Sequence, residues 1–206
     1  MMNNTYFIYG ASGHAKVIVE ILERSGCIVK GLYDDDPGKK SLLDYSVSTQ
    51  TSMLELQNVN WIIGIGDNAV RKKIADRKRL NFAIAIDKSS SISNRTQIGN
   101  GSVIMPGVSI NSSVIIGEHA IINTNSSIDH DCVIDDYTHV SPNATLCGGV
   151  NVGQGTHIGA GAVIIPGIKV GNWANIGAGA VIIRDVPDFA TIVGNPGRLI
   201  KKKVEK

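Results

Sequence analysis

Charge is scarce in this chain. Only 18% of its 206 residues are Asp, Glu, Lys or Arg, against the usual quarter or so. The balance is nearly even, with a formal net charge of +2, which is too little to draw nucleic acid or an anionic membrane surface. Lys201, Lys202 and Lys203 form the one dense basic patch, and a solvated terminus accounts for it. Cysteine is rarer still. Cys27, Cys132 and Cys147 are odd in number and lack metal-type spacing, so they read as small core residues in a reducing compartment rather than as a disulfide framework. No apolar run approaches the ~20 residues that a spanning helix needs. The start, MMNNTYFIYG, has no basic segment of the kind that opens a secretion signal. The expectation is a cytoplasmic protein.

What the chain has is glycine, 23 residues of it, with apolar content kept at 43%. That combination points away from disorder and toward a repetitive β architecture, with length for one large domain or two small ones.

Residues 1–86 alternate strand-like and helix-like stretches. Tyr6-Phe7-Ile8-Tyr9 is a short apolar run ending in Gly10-Ala11-Ser12-Gly13-His14. Val17, Ile18, Ile21 and Leu22 then share one helical face, with a stop at Gly26. Cys27 to Tyr33 reads as a second strand, closed by the turn residues Asp34-Asp35-Asp36-Pro37-Gly38. Trp61 to Ile65 reads as a third, followed by Asp67-Asn68 as a cap for a helix from Ala69 to about Leu80; Phe82 to Ile86 reads as a fourth. This order predicts a small parallel, Rossmann-like sheet, which binds ligands beyond the carboxyl ends of its strands.

From Ile92 the period becomes six. Sixteen consecutive positions, from Ile92 through Ile104, Ile128, Val140, Ile158 and on to Ile182, are aliphatic at that step, and the residue four places after each is small or β-branched. Gly often follows the aliphatic residue directly (Gly99, Gly117, Gly153, Gly159, Gly171, Gly177), where a corner is expected to need permissive backbone. Neither a helix nor an alternating strand sustains a period of six; hexads belong to a β-helix with three faces per turn. The reading is therefore an α/β domain over residues 1–86 and a β-helix with a short tail over residues 87–206. The coil is eighteen residues, so residues eighteen apart stack at about 4.8 Å.

That rule places side chains. His139 and His157 fall on one face in adjacent coils, whereas His130 lies elsewhere on the triangle with Gly148 directly over it. A histidine in such a repeat is ordinarily a surface or corner residue. Here Asp129-His130-Asp131 sets a carboxylate on each side of the ring, able to hold its tautomer and stabilise imidazolium. An amine or hydroxyl attacking a thioester needs such a base and a donor for the oxyanion, which the Gly148 N–H could supply. A zinc site built on His139 and His157 is the metal alternative, and it lacks a third histidine in the same column. A non-catalytic scaffold is a further alternative.

The chain resembles the hexapeptide-repeat sugar acyltransferases, within them the sialic-acid-type O-acetyltransferases and UDP-4-amino-sugar N-acetyltransferases. The resemblance is carried by Ile8-Tyr9-Gly10-Ala11-Ser12-Gly13-His14, Ile65-Gly66-Asp67-Asn68 with Arg71-Lys72-Lys73, and Asn123-Thr124. It continues through Ile128-Asp129-His130-Asp131-Cys132, Thr138-His139-Val140-Ser141 and Val193-Gly194-Asn195-Pro196-Gly197-Arg198. It implies a left-handed β-helix, a homotrimer with active sites between subunits, acetyl-CoA as cosubstrate and no metal. It makes His130 the general base, supported by Asp131 where many relatives carry Glu. It sets Gly148 against the acetyl thioester and His139 near the acyl donor. Small residues Gly159, Ala160, Gly177 and Ala178 would admit the pantetheine arm, and Asn195, Pro196 and Arg198 would finish that groove. The nucleotide-sugar is expected on Gly10, Ser12, Gly13, His14, Asp34, Asp35, Gly66, Asp67, Asn68 and Asn123. Ala15 stands where several relatives have Gly. The Gly10–His14 turn is not the GxGxxG of dinucleotide binders, which argues against NAD; a tight structural turn, an exposed turn and helix capping are the plain alternatives for Gly10–His14, Asp34-Asp35 and Asp67-Asn68. The implied reaction is acetylation of the 4-amino group of a nucleotide-linked 4-amino-4,6-dideoxy-sugar for surface glycan synthesis, with a sugar hydroxyl as the alternative acceptor.

Overall fold

The computed structural model describes residues 4–49, 59–78 and 80–202; Lys203, part of the basic tail, lies outside them. Strand β1 (Thr5–Tyr9), helix α1 (Gly13–Arg24) and strand β2 (Ile28–Tyr33) form the first βαβ unit. A hairpin of β3 (Ser41–Leu42) and β4 (Tyr45–Ser48), β5 (Asn60–Ile63) and α2 (Asn68–Arg77) follow, and the sheet order is β3-β4-β2-β1-β5. Of the apolar face predicted for α1, Ile18, Ile21 and Leu22 are buried and Val17 only partly so, while Ala15 and Val19 join the core; Gly26 takes a φ of +74° just past the helix end. Asp67 caps α2 by accepting the Val70 N–H at 2.9 Å.

The fourth strand differs from expectation. Only Phe82 bridges to the α/β sheet, through Trp61. Strand β6 (Ala85–Ile86) pairs instead with β9 (Val103–Ile104). Ile86 stands six residues before Ile92, so the hexad pattern starts one step earlier than the aliphatic run revealed.

From β7 (Ser91–Ile92) to β22 (Val181–Ile182) the chain forms sixteen two-residue strands, one per hexad, in a left-handed parallel β-helix. They stack on three faces, and β6, β23 (Ala190–Val193) and β24 (Arg198–Lys202) extend one of them, giving faces of six, five and eight strands. The eighteen-residue register holds from β6 to β22: Ser109 pairs with Ser127, Ile115 with Val133, and His139 with His157. The aliphatic positions point inward as one continuous core with the small residues four places later, among them Val114, Ala144 and Ala162. α1 rests on the outside of the eight-stranded face, where Val103, Met105 and Ile121 join its apolar cluster.

The corners correct the role given to one set of glycines. The left-handed backbone falls three residues after the aliphatic positions from Ile98 to Ile176, at Gly101, His119, Asp131, Tyr137, Gly149 and their equivalents. The glycines directly after the aliphatic residue have no such φ. They are small because the next coil fills the space: a Cβ on Gly159 would lie 2.6 Å from the Ala178 nitrogen.

Candidate active site

His130 occupies the outermost position of the corner between the six-stranded and five-stranded faces, one residue before the left-handed turn at Asp131 (φ +60°). Its ring Nδ1 lies 2.8 Å from Asp131 Oδ2. The exposed Asp129 carboxylate accepts through Oδ1 from the His130 N–H at 2.8 Å and from Asn111 Nδ2, one coil away, at 2.7 Å. The hydrogen bond to Asp131, helped by the charge of Asp129, holds the His130 pKa above its ordinary value. With Nδ1 engaged, Nε2 is left as the acting nitrogen.

Gly148 sits where the repeat placed it. A Cβ built there would lie 2.7 Å from His130 Cε1 and 2.8 Å from Nε2. Its carbonyl accepts from Gly167 and the next amide, Gly149, donates to the His130 carbonyl, while none of the coil's hydrogen bonds takes the Gly148 N–H itself. A base and a residue whose amide the coil leaves free are therefore neighbours, one coil apart. The side chains of His130 and Asp131 are 60% and 65% exposed in the single chain.

His139 is on a different side of the triangle, on the eight-stranded face beneath the α/β domain. Its ring lies against that of His157, tilted by 35° with centroids 4.9 Å apart, as the eighteen-residue rule requires. His139 Nε2 meets Asn123 Nδ2 at 3.0 Å and His157 Nε2 meets Ser141 Oγ at 2.9 Å. Burial, with neighbouring His157, Arg71 and His14, pushes the His139 pKa down to about 3. Burial and Arg71 push His14 down to about 4. Among the described residues, His139 Nδ1 and His14 Nε2 have no partner. No group of three or more His, Cys, Asp or Glu among the described residues is placed to hold a metal.

The other expected acyl-donor residues gather at a third place. Ala160 and Ala178 are exposed and stack one coil apart at the corner between the eight-stranded and six-stranded faces. Asn195, Pro196 and Arg198 are exposed beyond them, with the Arg198 guanidinium on the Pro196 and Gly197 carbonyls. Gly159 and Gly177 are also required to be small by coil packing, with the Ala178 nitrogen beside Gly159 and Val193 beside Gly177. In one chain, then, His130 and this strip are separated by the full width of the six-stranded face.

In the α/β domain, Gly10 takes a φ of +104° at the end of β1 and Ser12 caps α1 without using its side chain. Gly13 opens the helix, exposed. The Gly10 and Ala11 amides are taken by the Tyr33 carbonyl and Asp34, which leaves an anion the amides that open the helix from Ser12 on. Asp34 is buried and already engaged: it accepts from the Ala11 N–H (2.7 Å), Lys39 Nζ (2.7 Å) and the Asp36 N–H (3.0 Å). It shapes the Gly10–Ser12 loop. Asp35 accepts from the Tyr9 hydroxyl at 2.5 Å and pairs with Arg77. The Gly66 carbonyl and Asn68 are also spoken for, by Arg71 and the coil.

Arg71, given no role by sequence reasoning, is the most connected side chain here. It is 1% exposed and donates to the carbonyls of Ile65, Gly66, His119 and Tyr137 and to Asn68 Oδ1, at 2.8–3.1 Å. Beside it the buried His119 ring stacks on Tyr137 at 5.2 Å with Phe82 against its edge. The eighteen-residue spacing of His119 and Tyr137 was the available signal.

Residues 6–78 match the PglD N-terminal domain family, and residues 95–130, 113–148 and 149–184 match the bacterial transferase hexapeptide (six repeats) family. Among solved structures, a histidine variant of GDP-perosamine N-acetyltransferase from Caulobacter crescentus in complex with CoA and GDP-perosamine is 35% identical. It covers 96% of this chain and 97% of that one, with a TM-score of 0.91. The chain belongs to this family of hexapeptide-repeat N-acetyltransferases. The acetyltransferase domain of PglB from Neisseria gonorrhoeae FA1090, in complex with acetyl coenzyme A, is 30% identical over 96% of this chain and all of that one (100%), with a TM-score of 0.89. The UDP-N-acetylbacillosamine N-acetyltransferase of Bacillus subtilis (strain 168) is 40% identical over 107 residues, 48% of this chain and 50% of that protein. The match thus spans about half the length of that curated relative.

Proposed function

We propose that the protein transfers an acetyl group from acetyl-CoA to the 4-amino group of a nucleotide-linked 4-amino-4,6-dideoxy-sugar, in the cytoplasm, for glycan synthesis. The observation that carries this reading is the imidazole of His130, held by Asp131 at 2.8 Å, with Gly148 one coil above it and the Gly148 amide left free by the coil. His130 Nε2 takes a proton from the sugar nitrogen as that nitrogen bonds to the thioester carbon. The Gly148 N–H steadies the charge that builds on the carbonyl oxygen. Collapse breaks the C–S bond, and the released thiolate recovers a proton to leave as CoA thiol. The free amide fits the thioester carbonyl, and the exposed strip of Ala160 and Ala178 leaves room for an extended arm.

The site is read as one shared between two chains of a homotrimer. His130 and the acyl-donor strip lie on different corners of one coil, so a second copy is needed to bring them together. Ile115 and Val133, stacked one coil apart beside the His130 corner, are 46% and 39% exposed, apolar surface that association would cover. The nucleotide-sugar then rests on the Gly10–His14 turn and the Gly66–Asn68 loop, with Asn123 and His139 beside it.

The test is incubation with acetyl-CoA and a panel of UDP-, GDP- and dTDP-linked 4-amino-sugars, following thiol release and the bond formed. An amide product supports the reading. An ester, or turnover of hydroxyl acceptors alone, replaces it with sugar O-acetylation, and no turnover refutes it.

A further inference from the structure

Three corner carbonyls of the coil, those of His119, Tyr137 and Gly155, lie in one column at eighteen-residue spacing, each on a residue of positive φ. None of the coil's own amides reaches them. Helix α2 satisfies all three. Arg71 Nε donates to His119 O and one terminal nitrogen to Tyr137 O, both at 2.8 Å, and Asn68 Nδ2 donates to Gly155 O at 3.0 Å. The same guanidinium reaches back to the Ile65 and Gly66 carbonyls at 3.1 Å and to Asn68 Oδ1 at 2.8 Å.

Guanidinium has five N–H donors in a fixed planar fork, and here each has an acceptor. Among the described residues no carboxylate is in direct contact with the charge; burial lowers the Arg71 pKa to about 10. Keeping a cation in such a place is costly unless its hydrogen bonds are complete, so the residue is poorly suited to simple space filling. Its two sets of acceptors belong to two different parts of the protein: the loop after β5, and two successive coils next to His139.

We infer that Arg71 is a positioning residue that sets the distance between the acceptor-sugar loop Ile65–Asn68 and the coil face carrying Asn123 and His139. It touches neither reacting group. Asn68 is the second arm of the same device. The inference rests on the proposed function for its kinetic consequence only.

The experiment uses the full chain with Arg71→Met, Arg71→Lys and Asn68→Ala. In Arg71→Met, amide hydrogen exchange over residues 64–68 is expected to rise about tenfold while the coil amides keep their protection. With the acceptor found in the panel assay, kcat/KM for the nucleotide-sugar is expected to fall roughly hundredfold, as for a misplacement of about 1 Å. KM for acetyl-CoA stays within about twofold. Lys, with three donors, restores only part of either effect. If Arg71→Met does not fold, Asn68→Ala, which removes the bonds to the Gly155 and Thr156 carbonyls and frees one guanidinium donor, shows the same pattern at smaller size.

Unchanged exchange at residues 64–68 overturns the inference. So does faster exchange throughout the chain, or an equal loss toward both substrates, since either marks a role in stability alone. A wild-type chain that acetylates nothing refutes the proposed function, and the exchange measurement still decides the role of Arg71.

Discussion

Gly148 lies one coil above His130, so close that any side chain on it would press into the imidazole: a Cβ there would stand 2.8 Å from Nε2. Two sequence positions eighteen apart thus form one reactive spot, and its parts can be tested separately.

Gly148→Ala should fold normally, because the backbone there does not adopt a φ that disfavours alanine and the corner is open to solvent. The methyl group must displace the His130 ring. A loss in kcat of roughly hundredfold, comparable to removing an oxyanion donor, is expected with little change in Tm, checked by thiol-release kinetics and calorimetry.

Asp131→Asn keeps a residue tolerant of the left-handed backbone at φ +60° but removes the charge that raises the His130 pKa. The base works when neutral, so wild-type activity should climb as pH passes through a raised pKa. The variant should place that limb at lower pH, with kcat on the plateau reduced about tenfold or more because the ring is held less well. A pH–rate profile of both proteins reads this directly; an unmoved limb would contradict it.

Acid should weaken the joint between the α/β domain and the coil. His139 and His14 are held neutral, with pKa values of about 3 and about 4, whereas in the unfolded chain they protonate near 6.5. Between those values the unfolded state binds more protons, so stability is complete above about pH 6.5 and falls as pH drops toward 4. His139→Gln should flatten that fall. Tm measured from pH 7.5 to 4.5 in both proteins checks it, and an equally steep loss in the variant would count against it.

Sedimentation should give three times the chain mass, at concentrations where the enzyme is active. A stable, active monomer would contradict the shared site, because one chain keeps His130 and the Ala160–Ala178 strip on separate corners.

Much of this architecture is legible because the repeat is a ruler. Eighteen residues per coil placed Gly148 over His130 and stacked His139 on His157 before any coordinate was known. Features set by distant partners were not legible in the same way. Arg71 reads in sequence as one more cation in Arg71-Lys72-Lys73; its burial follows from carbonyls 48 and 66 residues away. Asp34 reads as a turn residue at a strand end, yet its oxygens are committed to Ala11, Asp36 and Lys39. The small glycines of the coil, such as Gly159, looked like corner residues because composition reports smallness without saying whether backbone torsion or a neighbouring coil requires it.

The most direct test compares the wild type with His130→Ala on the nucleotide-linked 4-amino-sugar that the panel identifies, with acetyl-CoA saturating. Loss of the proton-accepting ring should slow thiol release by about 10²- to 10⁴-fold and leave the Kd for acetyl-CoA unchanged. A variant that keeps its rate within about tenfold of the wild type would contradict the assignment of His130 as the base.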